Sequence, residues 1–227
     1  MTQCDLIITG SEGFLGRKLK TAFEAEGIKI QGLDLILGDD LTNPKYVREI
    51  LSKIDCTRLL NLHAINDHKD AATIDNSLAN YSLESFTEVL NTNVISVFSV
   101  CREFIFSRSG GRIVNMSSIY GVVSPSPNLY LPDEKNIAYG VSKAALIQLS
   151  RHLAVHFAPS FAINSIILGG VYRSHSKEFT KKYSSMTPVG RMGMVEDLFP
   201  LVRTLLFEQT DFLTGSTITL DGGYTST

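Results

Sequence analysis

Tyr139 and Lys143, in Tyr139-Gly140-Val141-Ser142-Lys143, are the residues of this sequence best spaced to move a proton. Four residues apart on a helix, they share one face. A phenol ordinarily ionises near 10. An ammonium beside it stabilises the phenolate and lowers that value, so Tyr139 is expected to donate or accept a proton near neutral pH. The pattern arises by chance in roughly a third of chains of this length, so it counts only with its neighbours. Gly111-Arg112-Ile113-Val114-Asn115-Met116-Ser117-Ser118 reads as a strand with two serines at its carboxyl end. A hydroxyl there can hydrogen-bond a substrate oxygen as it gains charge. Asn93 falls on the apolar stripe of a helix predicted over Ser82–Ser107. Taken alone it reads as a core asparagine satisfied by backbone or water.

A second constellation lies near the N-terminus. The apolar run Leu6–Thr9 enters Gly10-Ser11-Glu12-Gly13-Phe14-Leu15-Gly16 and then a helix predicted from about Arg17 to Glu26. Gly10 permits a tight turn, Gly13 lets the backbone approach a pyrophosphate, and Gly16 lets the helix pack close to the sheet. The helix N-terminus offers free N–H groups to phosphates. The next strand run ends at Leu33-Asp34, where a carboxylate can accept both ribose hydroxyls of an adenosine and would repel a 2′-phosphate. Asp34 also suits a loop cap. Asp40-Leu41 follows; Asp40 suits either an adenine amino group or the cap of a helix starting near Pro44.

The elements that position these residues follow from periodicity. Apolar runs at Leu6–Thr9, Ile28–Leu33, Arg58–Leu62, Arg112–Met116, Ala162–Leu168 and Ser216–Leu220 are nearly continuous, as parallel strands covered on both faces require. Between them lie helical stripes: Phe86, Val89, Leu90, Val94, Val97, Phe98, Cys101 and Ile105, then Leu146, Leu149, Leu153 and Phe157 in a helix over Asn136–Phe157. The alternation predicts an α/β fold: a single doubly wound Rossmann-like domain over residues 1–227, its central parallel sheet flanked by helices on both faces. Ligands belong at the carboxyl ends of its strands. The interval from Asp34 to Asp40 is too short for a crossover helix plus a strand, so the sheet is expected to be trimmed there.

Composition narrows the function. The chain has 227 residues and a net charge of −2, without the basic excess of a nucleic-acid surface. No apolar run looks long enough to span a bilayer, and no signal peptide is visible, so a cytoplasmic location is expected. Cys4, Cys56 and Cys101 are far apart in sequence and lack metal-ligand spacing; they are expected to be reduced, with no metal bound.

The sequence resembles the short-chain dehydrogenase/reductases over almost its whole length. The resemblance rests on Thr9–Gly16, Asn91–Val94, Gly111–Ser118, Tyr139–Lys143, Ala162–Val171 and Leu213–Tyr224, the last with Thr214-Gly215 and Leu220-Asp221-Gly222-Gly223. It implies a tetrad: Tyr139 as the acid/base, Ser118 holding the reacting oxygen, Lys143 binding the nicotinamide ribose and tuning Tyr139, and Asn93 holding a relay water. It further implies a dinucleotide at Gly10, Glu12, Gly13, Phe14, Leu15, Gly16, Asp34, Asp40, Leu41, Asn61, His63, Ala64, Gly169 and Val171, together with Tyr139 and Lys143.

The chain departs from the family pattern in several places. Asn61-Leu62-His63-Ala64 stands where many relatives have Asn-Asn-Ala-Gly, and His63 is expected to be a structural substitution rather than a second base. Leu168-Gly169 replaces Pro-Gly, and Arg173 stands for the threonine that often holds the nicotinamide amide. Ser124–Lys135 lengthens the interval between Ser118 and Tyr139 and is expected to shape the substrate site. With Ser118–Val123 it is similar to relatives in bacterial surface-sugar or nonulosonate biosynthesis. Tyr172–Met194 carries Arg173, His175, Lys177, Lys181, Lys182 and Arg191 against Glu178. It reads either as a solvated loop or as a lid over an anionic group.

The expectation is hydride transfer between NAD(H), preferred over NADP(H), and a secondary alcohol or ketone, with a sugar or sugar nucleotide favoured as the small-molecule substrate. The rivals are a 3-oxoacyl-thioester reductase and a non-catalytic dinucleotide-binding sensor or subunit. No nucleic acid or membrane partner is expected. The apolar faces of the two long helices predict a homodimer or homotetramer.

Overall fold

Strand-length runs of Ile, Leu and Val, each apolar on both sides, form the centre of a three-layer α/β structure. The computed structural model describes residues 1–66, 80–130, 135–208 and 212–226. In chain order these hold β1 (Thr2–Gln3), β2 (Leu6–Thr9), α1 (Phe14–Ala25), β3 (Ile30–Leu33), α2 (Pro44–Ser52), β4 (Ile54–Asp55), β5 (Arg58–Asn61), α3 (Leu83–Leu90), α4 (Ser96–Phe106), β6 (Gly111–Ser118), α5 (Pro127–Tyr130), α6 (Ile137–Phe157), β7 (Phe161–Leu168), α7 (Lys177–Ser185), α8 (Val195–Phe207) and β8 (Thr217–Leu220). The main sheet runs β3-β2-β5-β6-β7-β8, and all its pairings are parallel. The order reverses between β2 and β5, which opens a crevice at their carboxyl ends, beside the glycine turn.

Alternation along each strand fills two cores. Ile7, Leu59, Ile113 and Ile163 pack with Val47, Val97, Phe104 and Leu146 from α2, α4 and α6. Leu6, Ile8, Leu60, Val114 and Ile166 face the other way, onto Leu19 and Phe23 of α1 and Leu198 and Val202 of α8. One level of the first face is polar. Thr9, Asn61, Asn115 and Ser165 are register partners across β2, β5, β6 and β7. Thr9 Oγ1 donates to Asn61 Oδ1 (3.1 Å), Asn61 Nδ2 to Asn115 Oδ1 (2.8 Å), and Asn115 Nδ2 to Ser150 Oγ of α6 (2.9 Å).

Three expectations change. First, α1 starts at Phe14, not Arg17, because Gly13 is already its extended N-cap and Gly16 lies inside the helix. Second, the helix expected over Ser82–Ser107 is continuous from 83 to 106 but contains a π turn at Asn91–Ile95, where Ser96 N–H donates to the Asn91 carbonyl five residues back. Asn93 is fully buried, as its place on the stripe predicts, whereas Phe98, expected on the same stripe, is partly exposed. Third, this 24-residue helix has the length and hydropathy that a bilayer span needs, contrary to the sequence expectation. It packs on α6 and the sheet with half of that window buried, as a core helix does.

The trimmed edge is present. Asp34 leads into a 3₁₀ turn, Leu35–Leu37, and no strand follows it. After α2, β4 pairs instead with β1 in a separate two-stranded parallel sheet, Thr2↔Ile54 and Gln3↔Asp55. Cys4 and Cys56, 52 positions apart in sequence, thereby become neighbours.

Candidate active site

Ser118 ends β6, and the 3₁₀ turn Ile119–Gly121 carries the chain under the start of α6. Two glycines permit this close approach. A Cβ on Gly121 would stand 2.8 Å from the Lys143 carbonyl carbon, and one on Gly140 2.9 Å from the Tyr120 carbonyl oxygen. Asn136 caps α6, its Oδ1 accepting from Tyr139 N–H (3.2 Å) and the Tyr81 hydroxyl (2.8 Å). Tyr139, Lys143 and Ser118 therefore converge. The Ser118 hydroxyl, which accepts from Tyr120 N–H (3.2 Å), lies close enough to the Tyr139 phenol to hold its pKa down. Lys143 Nζ lies 5.5 Å from the Tyr139 ring centroid and donates to the Met116 carbonyl (2.8 Å).

The electrostatics correct one expectation. Tyr139 is raised above the ordinary phenol value, chiefly by burial, with the Ser118 hydroxyl opposing that rise. Desolvation in turn pulls Lys143 down to about 8. Desolvation of Tyr139 sets the direction of its shift.

Asn93 is fully engaged. Its Oδ1 accepts from Ile65 N–H (2.8 Å), and its Nδ2 donates to the Ile65 carbonyl (2.9 Å) and Ser142 Oγ (3.0 Å). The side chain fastens the chain after β5 to α6.

The glycine turn is built as its spacing demands. Gly10 has φ +68°, and a Cβ on Gly16 would lie 2.1 Å from the Gly10 carbonyl oxygen. Gly13 meets only that same oxygen, at 3.3 Å, and lines the cleft. Asp34 does two jobs. Its Oδ2 accepts from Glu12 N–H (2.9 Å) and its Oδ1 from Ile36 N–H (3.0 Å), which ties the turn to the end of β3. Glu12 in turn pairs with Arg17 and Lys20 (3.4 and 3.6 Å). Asp40 does not cap α2. Asn43 does, and the Asp40 carboxylate accepts from Thr42 N–H and Oγ1. Leu41 is a buried core residue.

Asn61 lies beneath the cleft, in the polar row. His63 bridges elements, Nδ1 to Thr9 Oγ1 (2.6 Å) and Nε2 to Ser96 Oγ (2.7 Å). Desolvation first, and Lys143 second, push this imidazole down to about 3, so it is a neutral strut at physiological pH.

One cleft of about 520 Å³ joins the two constellations. The glycine turn, Phe14 and Leu15 line one end; Ser118, Tyr139 and Lys143 line the floor; Ala64, Gly169 and Val171 line the sides. Glu12, Asp34, Asp40, Leu41, Asn61, His63 and Asn93 are not on its wall. Asn66, which is, has a buried Oδ1 without a partner.

Over the floor stands an aromatic wall that sequence reasoning missed. Tyr120 and Tyr130 share a hydroxyl bond (2.6 Å), Phe179 stacks toward Tyr183, and Tyr183 accepts from Gly170 N–H (2.5 Å) while stacking on Tyr224. Phe179 and Tyr183, four apart, gave the one available signal. Tyr130 and Lys135 bring the described part of the insertion to the cleft; residues 131–134 lie outside the described residues. The cationic lid shrinks. Because α7 turns its aromatics inward, Lys177 and Lys181 face out, Lys182 pairs with Glu178 (2.9 Å) and Arg191 with Asp197 (2.7 Å). Of the six cations, Arg173 and His175 reach the cleft.

A family model described as enoyl-(acyl carrier protein) reductase matches residues 40–225. An uncharacterized short-chain type dehydrogenase/reductase of Sinorhizobium fredii is 26% identical over 97% of this chain, which spans only 43% of that relative's length. A 3-oxoacyl-[acyl-carrier-protein] reductase of Aquifex aeolicus is 26% identical over 96% of this chain and 86% of its own. A short-chain dehydrogenase of Leptospira borgpetersenii, solved with bound NAD⁺, superposes with a TM-score of 0.87 at 26% identity, covering 99% of this chain and 94% of that one.

Proposed function

Because this chain belongs to the short-chain dehydrogenase/reductase family, we propose that it is an NAD(H)-dependent oxidoreductase interconverting a secondary alcohol and a ketone, on one Rossmann-like domain over residues 1–227. The observation that carries this reading is the single cleft running from the glycine turn to Ser118, Tyr139 and Lys143. The cleft suits a dinucleotide. Gly13 leaves its backbone open, α1 presents its N-terminus, and the orphaned Asn66 Oδ1 awaits a donor. The bound nicotinamide ring would give or take the hydride.

The protein's own residues do the rest. The Tyr139 hydroxyl gives its proton to the carbonyl oxygen in reduction and regains one in oxidation. Ser118 holds that oxygen. Lys143, released from Met116 O by a ribose, supplies the positive charge that stabilises a phenolate. The carboxylates of Asp34 and Asp39 at the end of β3 would repel a 2′-phosphate brought near them, and Glu12 occupies Arg17 and Lys20; together these support NAD(H) over NADP(H).

Stacked aromatic rings beside polar hydroxyls, with Arg173 and Lys135 at the mouth, suit a sugar or sugar nucleotide. A 3-oxoacyl thioester is the second reading, favoured by the Aquifex relative. A non-catalytic dinucleotide binder would have no need of the converged Ser118, Tyr139 and Lys143. The test follows NADH oxidation, then NADPH, against ketoses, keto nucleotide sugars and acetoacetyl thioesters. Turnover of a thioester alone overturns the sugar reading, faster turnover with NADPH overturns the role of Asp34, and no turnover with any of them favours the binder.

A further inference from the structure

The two-stranded annex sheet places two thiols together that no part of the active site uses. β1 and β4 pair in parallel register, Thr2↔Ile54 and Gln3↔Asp55, and one further step in that register sets Cys4 opposite Cys56. The Cys4 N–H donates to the Asp55 carbonyl (3.2 Å), so the backbones are still paired at the step that brings the cysteines side by side. The two thiols lie close enough that each shifts the other's ionisation, and Cys56 Sγ donates to the Arg58 carbonyl (3.4 Å). Neighbouring strands lie about 4.8 Å apart, inside the Cα separation of roughly 4.4–6.8 Å that a disulfide spans. Both are free thiols; Cys56 is buried and Cys4 partly exposed.

The surroundings favour thiolate chemistry at Cys56. Arg108 donates to the Cys56 carbonyl (2.5 Å) and to the Ile54 carbonyl (2.9 Å), which fixes a guanidinium beside it, and Arg58 follows two residues on. The neighbouring Cys4 first, then Arg108 and Arg58, hold Cys56 below the ordinary thiol value, while Cys4 is pushed up. A depressed thiol beside a second one is the arrangement that oxidises to a disulfide instead of over-oxidising. Access comes through β1, which is two residues long and exposed on both. A strand that short frays readily.

We propose that Cys4 and Cys56 form a redox-sensitive dithiol that closes to a disulfide under peroxide. The Cys56 thiolate attacks one oxygen of hydrogen peroxide. The O–O bond breaks, leaving a sulfenic acid on Cys56 and a hydroxide that is protonated to water. The Cys4 sulfur then attacks the sulfenic sulfur. The S–S bond forms, the S–O bond breaks, and the departing hydroxide takes the Cys4 proton as a second water. Two thiols lose two electrons and one peroxide becomes two waters. The bond closes residues 4–56 into a covalent loop that contains the glycine turn. Cys101, buried between Asn61 and Asn115, serves as an internal control.

The test treats the full-length protein with hydrogen peroxide, alkylates it and maps non-reduced peptides. The expected result is loss of two of the three thiols, a mass lower by two hydrogens, and one cross-linked peptide joining Cys4 to Cys56. The oxidised form should unfold at a higher temperature, reversed by dithiothreitol. In Cys4→Ser, Cys56 should stop at a sulfenic acid that dimedone traps. Three alkylatable thiols after treatment, a cross-link through Cys101, a sulfinic Cys56 beside a free Cys4, or an oxidised form with unchanged or lower Tm would each overturn it.

Discussion

Lys143, only 3% exposed, gives its ammonium to the carbonyl of Met116, and desolvation brings it from 10.5 to about 8. A fall of that size corresponds to about 3 kcal/mol of disfavoured charge. The folded protein holds this proton less tightly than the unfolded chain. The penalty is therefore complete below pH 8 and disappears as pH rises from about 8 towards 10.5. Methionine fills similar space without the charge, while losing the Met116 bond costs about 1 kcal/mol. Lys143→Met is thus predicted to keep or raise Tm at pH 7 while turnover falls by about 10²-fold or more. A Tm several degrees lower in a thermal scan would show a structural cation instead. Tyr139→Phe is predicted to bind NADH as wild type does, by fluorescence titration, and to lose turnover by about 10²–10⁴-fold. Because burial keeps Tyr139 protonated through neutral pH, kcat/KM for ketone reduction should hold up to about pH 8 and fall as Lys143 discharges. Alcohol oxidation, which needs the phenolate, should still be rising at pH 9. Parallel profiles in the two directions would remove this assignment of the proton.

Among the elements, the glycine turn and the π turn make opposite predictions about what each residue protects. Gly16→Ala drives a methyl to 2.1 Å from backbone and should lower Tm sharply, whereas Gly13→Ala meets one oxygen at 3.3 Å and should leave Tm nearly unchanged while weakening NADH binding. Calorimetry and titration on the two variants separate packing from ligand approach. Asn93→Ala strands the Ile65 N–H and carbonyl and should cost about 2–4 kcal/mol in denaturant unfolding. Much of this architecture was legible in the sequence. β2 falls on its predicted bounds and β7 within one residue, because a strand covered on both faces reads as an unbroken apolar run. The convergence of Tyr139 and Lys143 was legible for the same reason, since helical spacing fixes it. The π turn was not, because one extra residue in 24 barely disturbs a 3.6-residue period. The pairing of Cys4 with Cys56 depends on two-residue strands, too short for any period. The direction of the Tyr139 shift depends on burial by elements remote in sequence. The lid lysines misled because composition cannot say which face of α7 looks inward, and that orientation was set by Phe179 and Tyr183.

For the whole molecule, the two long helices carry several exposed apolar side chains. Phe106 is 74% exposed on α4 and Val155 78% on α6, with Ile95, Phe98 and Val141 nearby in sequence on the same helices. Exposed apolar side chains clustered on a helix face mark an association surface. Light scattering is predicted to give twice or four times 25.0 kDa, and Phe98→Glu with Val155→Glu to give the single-chain mass. A wild-type monomer at micromolar concentration would contradict this. The polar row through Thr9, Asn61 and Asn115 acts on the same scale, in the choice between alternative folds. Around it the strands are runs of interchangeable Ile, Leu and Val, which pack almost as well if one strand slides past its neighbour. Sliding β5 by one residue along β6 would turn Asn61 to the opposite core and leave the Asn115 amide without its partner. Each stranded amide costs about 1–3 kcal/mol, a large part of the 5–15 kcal/mol that separates a folded domain from its unfolded chain. The row therefore selects one strand alignment out of several that greasy packing alone would accept, and so determines which residues arrive at the mouth of the cleft.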